Sequence, residues 1–222
     1  LSGVAFQAQT LTVDHDLADA DGLGVISTQW HRAGEAIAGA TAGDYTLTQA
    51  DVGSTLSVTL SYTDGYGTAE SATSPSTTEV QNVNDPPTGA VTVSGEVIED
   101  ATLTASHELS DPDGLGAITY QWRRTGEVIE GATDESYTLT QGGVGATFTV
   151  TAGYVDGYGA AESVTSVPTG PVQNLNDAPT GSVTVWGTPK EDQVLTATHD
   201  LADADGLGAV GYQWRREGEA IE

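Results

Sequence analysis

The chain of 222 residues has no cysteine and no methionine, and only six basic side chains stand against 32 acidic ones. Without cysteine there is no disulfide framework and no thiol chemistry. The missing methionine, an initiator included, fits an internal piece of a longer chain. No apolar run is long enough to span a bilayer, so no membrane insertion is expected in this segment. The formal charge of −26 repels nucleic-acid phosphates and anionic membrane faces, which leaves cations as the natural partners.

What is present is a repeat. Trp30, Trp122 and Trp214 recur at intervals of 92 residues (122 − 30 and 214 − 122), and Asp19, Asp111 and Asp203 keep the same interval. Aligning Leu1 with Val93 gives three expected domains: residues 1–83 as repeat 1 without its opening segment, 84–175 as a complete repeat 2, and 176–222 as the first half of repeat 3.

Inside each repeat the period is two. The run "STLSVTLSY" puts Leu56, Val58, Leu60 and Tyr62 on one face and hydroxyls on the other, the pattern of a half-buried strand. Repeat 2 rewrites that face as Phe148, Val150, Ala152 and Tyr154. Glycine and Asp-Gly clusters such as "DGLG", "DGYG" and "RTGE" punctuate the strands, and no segment sustains a helical period. The pattern predicts an all-β chain of tandem β-sandwich repeats, each closing its own core.

A Trp in the third strand, then "YTLTQADVG" over 45–53 and a strand ending in Tyr62, resembles the immunoglobulin pattern of a strand C Trp and an E-F corner. Apolar residues such as Ala105 and Val150 take the places of that family's cysteine pair, and Gly143 replaces Asp51 at the second corner. The whole repeat, with "DADGLG", "YQW", "DGYG" and the linkers "NVNDPPTG" (82–89) and "NLNDAPTG" (174–181), resembles the immunoglobulin-like extender repeats of large bacterial RTX-type secreted adhesins. The linker is similar to the "DxNDxxP" phrase of cadherin-like repeats. The resemblance implies a secreted or cell-surface structural protein of adhesion and biofilm formation, not an enzyme. Its expected partners are the neighbouring repeats and, through other domains, host or bacterial surface ligands.

The immunoglobulin-like strand order places the upper loops of one repeat against the lower turns of the repeat before it. At the first boundary this gathers Asn82, Asn84 and Asp85 with Asp111, Asp113 and Asp156, with Glu35 and Asp51 approaching from below. At the second it gathers Asn174, Asn176, Asp177, Asp203 and Asp205, joined by Glu99, Asp100 and Glu127. Crowded carboxylates repel unless a cation sits among them. Calcium, which takes six to eight oxygens in flexible geometry, suits the set better than magnesium, and zinc or copper would want His or Cys. In the cadherin-like resemblance Asn84 and Asp85, and again Asn176 and Asp177, match the "ND" of the motif, while Asn82 or Asn174 replaces its first Asp. The competing reading makes the linker only a stiff, proline-bearing spacer and the Asp-Gly pairs only turns. An EF-hand fails on spacing, because a loop glycine at Gly22 would put the end ligands on Leu17 and Thr28.

The recurring His15, His107 and His199, with the unrepeated His31, have no partner nucleophile and are read as structural or solvated. The repeated Trp residues are read as core; Trp186 stands where Ser2 and Ser94 occur, and is left open between packing and exposure. Adjacent strand residues face opposite ways, so Arg123-Arg124 and Arg215-Arg216 are expected to form local salt bridges and not an anion site. The functional readings are thus a calcium-stiffened extender, a carbohydrate- or protein-binding module, and accessory repeats of a secreted enzyme.

Overall fold

A computed structural model describes residues 1–221. It is all-β, and the chain divides into two compact units: residues 1–88, 109–117 and 154–162 form the first, and the remainder the second. No helix among the described residues is long and apolar enough to cross a membrane.

The first unit contains β1 (Thr10–Thr12), β2 (Ser27–Arg32), β3 (Glu35–Ala36), β4 (Asp44–Thr46), β5 (Leu56–Thr63) and β6 (Ala69–Thr73). Strands pair in the orders β1-β4 and β3-β2-β5-β6, all antiparallel. The alternation in β5 does what the sequence predicts: Leu56, Val58 and Leu60 join Leu11, Trp30, Leu47 and Val80 in one core. Trp30 donates its indole N–H to the Ala42 carbonyl at 2.9 Å and stacks on Tyr45 at 5.7 Å, so its one polar atom is satisfied inside the sandwich.

The second unit carries β7 (Val91–Ser94), β8 (Thr102–His107), β9 (Thr119–Arg124), β10 (Glu127–Val128), β11 (Ser136–Thr138), β12 (Phe148–Val155) and β13 (Ala161–Thr165). The hairpin tip 154–162 between the last two belongs to the first unit. Strand orders are β11-β8-β7 and β10-β9-β12-β13. This division into an A-B-E sheet and a C′-C-F-G sheet is the immunoglobulin-like sandwich. Trp122, Leu103, Leu139, Phe148, Ala105 and Val150 are fully buried, so packing holds the sheets together without a cystine.

In both units the segment entering the sandwich runs parallel to the one leaving it. Phe6 bridges Gln81 and Ile98 bridges Gln173, while the E-F corners add parallel bridges of their own from Val52 to Val80 and from Val144 to Val172. That pairing delivers Gln7 and Glu99 to the start of each linker.

The E-F corners differ. Asp51 does not approach the boundary from below as expected; it is 0 % exposed and turned into its own repeat. Its carboxylate accepts from Arg32 Nε at 2.7 Å, from the Thr48 N–H at 2.7 Å and hydroxyl at 2.8 Å, and from the Tyr45 hydroxyl at 3.2 Å. At the second corner the Phe148 ring fills the equivalent space, with its Cζ 3.0 Å from where a Cβ on Gly143 would stand. Arg124 donates instead to the Gly142 carbonyl at 2.8 Å. Arg123 and Arg215 likewise donate to the carbonyls of Gly126 and Gly218, correcting the expected salt bridges.

The second unit also contains β14 (Val183–Trp186), β15 (Thr196–His199), β16 (Arg215–Arg216) and β17 (Glu219–Ala220). Trp186 is 65 % exposed on the outer face of β14, its indole N–H donating to Thr198 at 3.1 Å. Trp214 is exposed as well. The strand that pairs with Trp30 or Trp122, β5 or β12, follows the Trp in its repeat, and residues 215–221 hold no counterpart of it.

Candidate functional site

The boundary between repeats 1 and 2 lies inside the first unit. The linker there is fastened by side chains from both flanking repeats. The Asp85 N–H donates to Asp113 Oδ2 at 2.7 Å, and the Asn84 amide donates to Glu162 Oε1 at 2.7 Å. Asp111 shapes the B-C turn by accepting the Asp113 N–H at 2.8 Å and also takes the Tyr154 hydroxyl. Asp156 Oδ1 closes the F-G hairpin by accepting the N–H groups of Tyr158 and Ala160, each at 2.8 Å. From the other side Gln7 accepts the Val83 N–H at 3.2 Å and donates its amide to Asp85 Oδ2.

Two glycines let these loops close on one another. A Cβ on Gly157 would stand 2.6 Å from the Asp113 carbonyl oxygen, the oxygen that accepts the Gly157 N–H at 3.0 Å. A Cβ on Gly116 would stand 2.0 Å from the Val155 oxygen. The glycines read from sequence as turn residues are therefore also contact points.

The same loops leave polar atoms unmatched. Asp113 is 4 % exposed and Asp156 is 7 % exposed, yet Asp113 Oδ1 and Asp156 Oδ2 are buried without a hydrogen-bond partner, as is Asn82 Oδ1. Leaving a buried polar atom unpaired costs about 1–3 kcal/mol, more for a charged group. Three unpaired acceptors at one linker mark a place short of positive charge or of donors.

The boundary between repeats 2 and 3 lies inside the second unit and repeats the arrangement. The Asp177 N–H donates to Asp205 Oδ2 at 2.8 Å, and the Asp205 N–H to Asp203 Oδ1 at 2.9 Å. The Asn176 amide turns to the Asp177 carbonyl at 2.9 Å. Carboxylate oxygens of Glu99, Asp177 and Asp205 come within 4.8 Å of one another. Asp100 and Glu127 are exposed and stand outside that trio, and Asn174 is exposed. Asp100 instead occupies a left-handed turn (φ 62°) and donates its N–H to the Leu139 carbonyl. Glu35 is likewise exposed, at the edge strand β3.

A third acidic group crowns repeat 1. Asp19, Asp64 and Glu70, the counterparts of Asp111, Asp156 and Glu162, lie within 4.8 Å of one another. The Tyr62 oxygen is 3.0 Å from Asp19 and 2.9 Å from Glu70, but its single proton serves one of them. The bond to Glu70, then loss of hydration and Asp19, hold this phenol far above its usual range. The N–H of Thr68 and then, against burial, that of Tyr66 hold the Asp64 carboxyl below the usual carboxylate range.

The sequence carries no site signal for Gln7, which is neutral, or for Glu70 and Glu162 beyond their 92-residue interval, and Tyr62 and Tyr154 read there only as strand residues. The clustered ligand atoms are all carboxylate oxygens, a donor set for a hard divalent cation and not for zinc or copper. No histidine belongs to these groups among the described residues.

No protein-family model matches the chain, and no curated protein matches it. A solved structure described as "Structure of amphioxus IgVJ-C2 molecule" is similar at 20% identity over 75% of this chain and 97% of that chain, with a TM-score of 0.31. Superposition that loose carries no argument, and the immunoglobulin-like character follows from the strand order above.

Proposed function

We propose that this chain is part of the extender region of a secreted or surface-attached bacterial adhesin. In this reading its immunoglobulin-like repeats, 1–83, 84–175 and 176–222, hold a distal binding domain away from the cell, and calcium stiffens their boundaries. The observation that carries the calcium reading is the pair of buried, unpartnered oxygens on Asp113 and Asp156 beside a linker already tied to both repeats. Asp85, which gives its N–H to Asp113, and Asp111, which accepts the Asp113 N–H, bring further carboxylates to the same loop and linker. The repetition of acidic loops and linker every 92 residues supports a role in adding length, since a catalytic site needs one asymmetric constellation and a spacer does not.

Calcium would replace hydrogen-bond donors that the folded chain lacks and share ligands between linker and loops. Its removal leaves carboxylates facing each other, and the linker loosens. In millimolar calcium the melting temperature is expected to rise by about 5–10 °C over the chelated protein, the shift that goes with roughly 2.7 kcal/mol of stabilisation at a hundredfold excess over Kd. Small-angle scattering should report a narrower distance distribution at the same time. Identical melting and scattering with calcium and with chelator would remove calcium from the function and leave a passive spacer.

A further inference from the structure

The two boundaries differ at one side chain. Gln7 and Glu99 are 92 residues apart, and each accepts a linker N–H, from Val83 at 3.2 Å and from Leu175 at 3.4 Å. Beyond that shared bond they diverge. Gln7 turns its amide Nε2 to Asp85 Oδ2, supplying the linker carboxylate with a donor. Glu99 has only oxygen to offer, and it stands with Asp177 and Asp205 in a group spanning no more than 4.8 Å.

Glu99 is 4 % exposed, and the 3.4 Å contact from Leu175 lies at the outer limit of a hydrogen bond. A buried carboxylate with so little compensation beside two others demands positive charge. Asp113, the counterpart of Asp205, carries the same demand at the first boundary, where its Oδ1 is buried without any partner. There, however, the Gln7 amide has already satisfied one oxygen of Asp85.

We infer that the residue at this position sets the cation requirement of each boundary: Glu99 makes the second a tight divalent-cation site, and Gln7 stands in for part of the cation at the first. The inference rests on the calcium reading and adds that the boundaries are unequal. Two effects act in one direction. Calcium affinity rises with the number of charged ligands that converge on the ion, and the second boundary brings Glu99, Asp177 and Asp205 together where the same positions of the first hold the Gln7 amide, Asp85 and Asp113. The amide also occupies the Asp85 oxygen that a cation would need. The first boundary therefore keeps its linker in place at low calcium, while the second tightens only as calcium arrives.

Calorimetric calcium titration of the 222-residue chain tests this with Glu99→Gln and Gln7→Glu, each near-isosteric and each introducing the residue its counterpart already uses. The unaltered chain should show a tight and a weak class of sites. Glu99→Gln should weaken the tight class by about tenfold or more, and Gln7→Glu should convert a weak site to a tight one. Near-ultraviolet circular dichroism unchanged in both variants shows that the fold is kept. If Glu99→Gln titrates like the unaltered chain, or Gln7→Glu adds no tight site, the inference is wrong while calcium binding stands. If Glu99→Gln alters only the pH dependence of melting, a shared proton and not a cation fills the group, and the inference also fails. Absence of binding by every form, the unaltered one included, overturns the calcium reading itself.

Discussion

Replacing Asp51 by glycine is expected to destabilise the first unit by about 3 kcal/mol, the cost of breaking a buried ion pair, and adding Leu56→Phe should recover most of it. Asp51 is fully buried and serves Arg32, Thr48 and Tyr45 together. Its removal strands the Thr48 N–H and part of the Arg32 guanidinium and opens a void beside Leu56. The second unit already contains the alternative, with Gly143 for Asp51, Phe148 for Leu56, and Tyr137 tilted against the Phe148 ring at 5.5 Å. The double variant borrows that solution whole. Urea unfolding followed by tryptophan fluorescence measures both steps. A single variant costing under about 0.5 kcal/mol, the range of an ordinary surface change, would show that the corner carries no such weight.

The same carboxylate gives the first unit a pH dependence. Burial pushes the Asp51 carboxyl up, but the Thr48 N–H, the Arg32 guanidinium and the Thr48 hydroxyl outweigh it and hold the group below its ordinary value. A carboxyl depressed in the folded state contributes fully above its unfolded pKa of about 3.9. That contribution is lost as pH falls through the lower folded value. The unaltered first unit should therefore lose stability below about pH 4 more steeply than the Asp51→Gly/Leu56→Phe form. Parallel acid curves would rule out Asp51 as the source.

Gly116→Ala is expected to cost about 3 kcal/mol, at the upper end for overpacking, and to weaken the proposed calcium response with it. The added Cβ would meet the Val155 carbonyl oxygen at 2.0 Å, and backbone cannot step aside as a flexible side chain can. The loop 111–117 must retreat, and Asp113 moves off the Asp85 N–H of the linker. Gly142→Ala is the control, because its nearest neighbour is the end of the Arg124 side chain at 3.5 Å and little change is expected there. Equal melting temperatures for the two alanine variants would show that the loop accommodates the methyl group and that the close approach is unimportant.

Much of this was legible in the sequence because it depends on period. A two-residue alternation fixed which face of β5 and β12 is buried, and the 92-residue interval placed Trp30 and Trp122 in equivalent cores. It also brought Asn84 and Asp85 to one boundary with Asp111, Asp113 and Asp156, and Asp177 to another with Asp203 and Asp205. What stayed hidden depends on partners across strands. Asp51 looked like one more surface acid until β2 brought Arg32 against it. Asp100 has the right chemistry but stands apart, because one left-handed backbone turn at Asp100 separates it from its neighbour Glu99. Gln7 carries no charge to mark it in the sequence, although its amide reaches Asp85 where its counterpart Glu99 stands with Asp177 and Asp205.

The parallel bridges that join the incoming and outgoing segments of each unit have a mechanical consequence. Because those segments run in one direction side by side, tension applied at the two ends slides one past the other and loads Gln7 to Gln81, Gln81 to Ala5, Glu99 to Gln173 and Gln173 to Val97 in shear. Bonds arranged in that way share a pull and yield together, whereas a hairpin drawn from its open end unzips one rung at a time. A chain tethered against flow would meet drag with its strongest geometry.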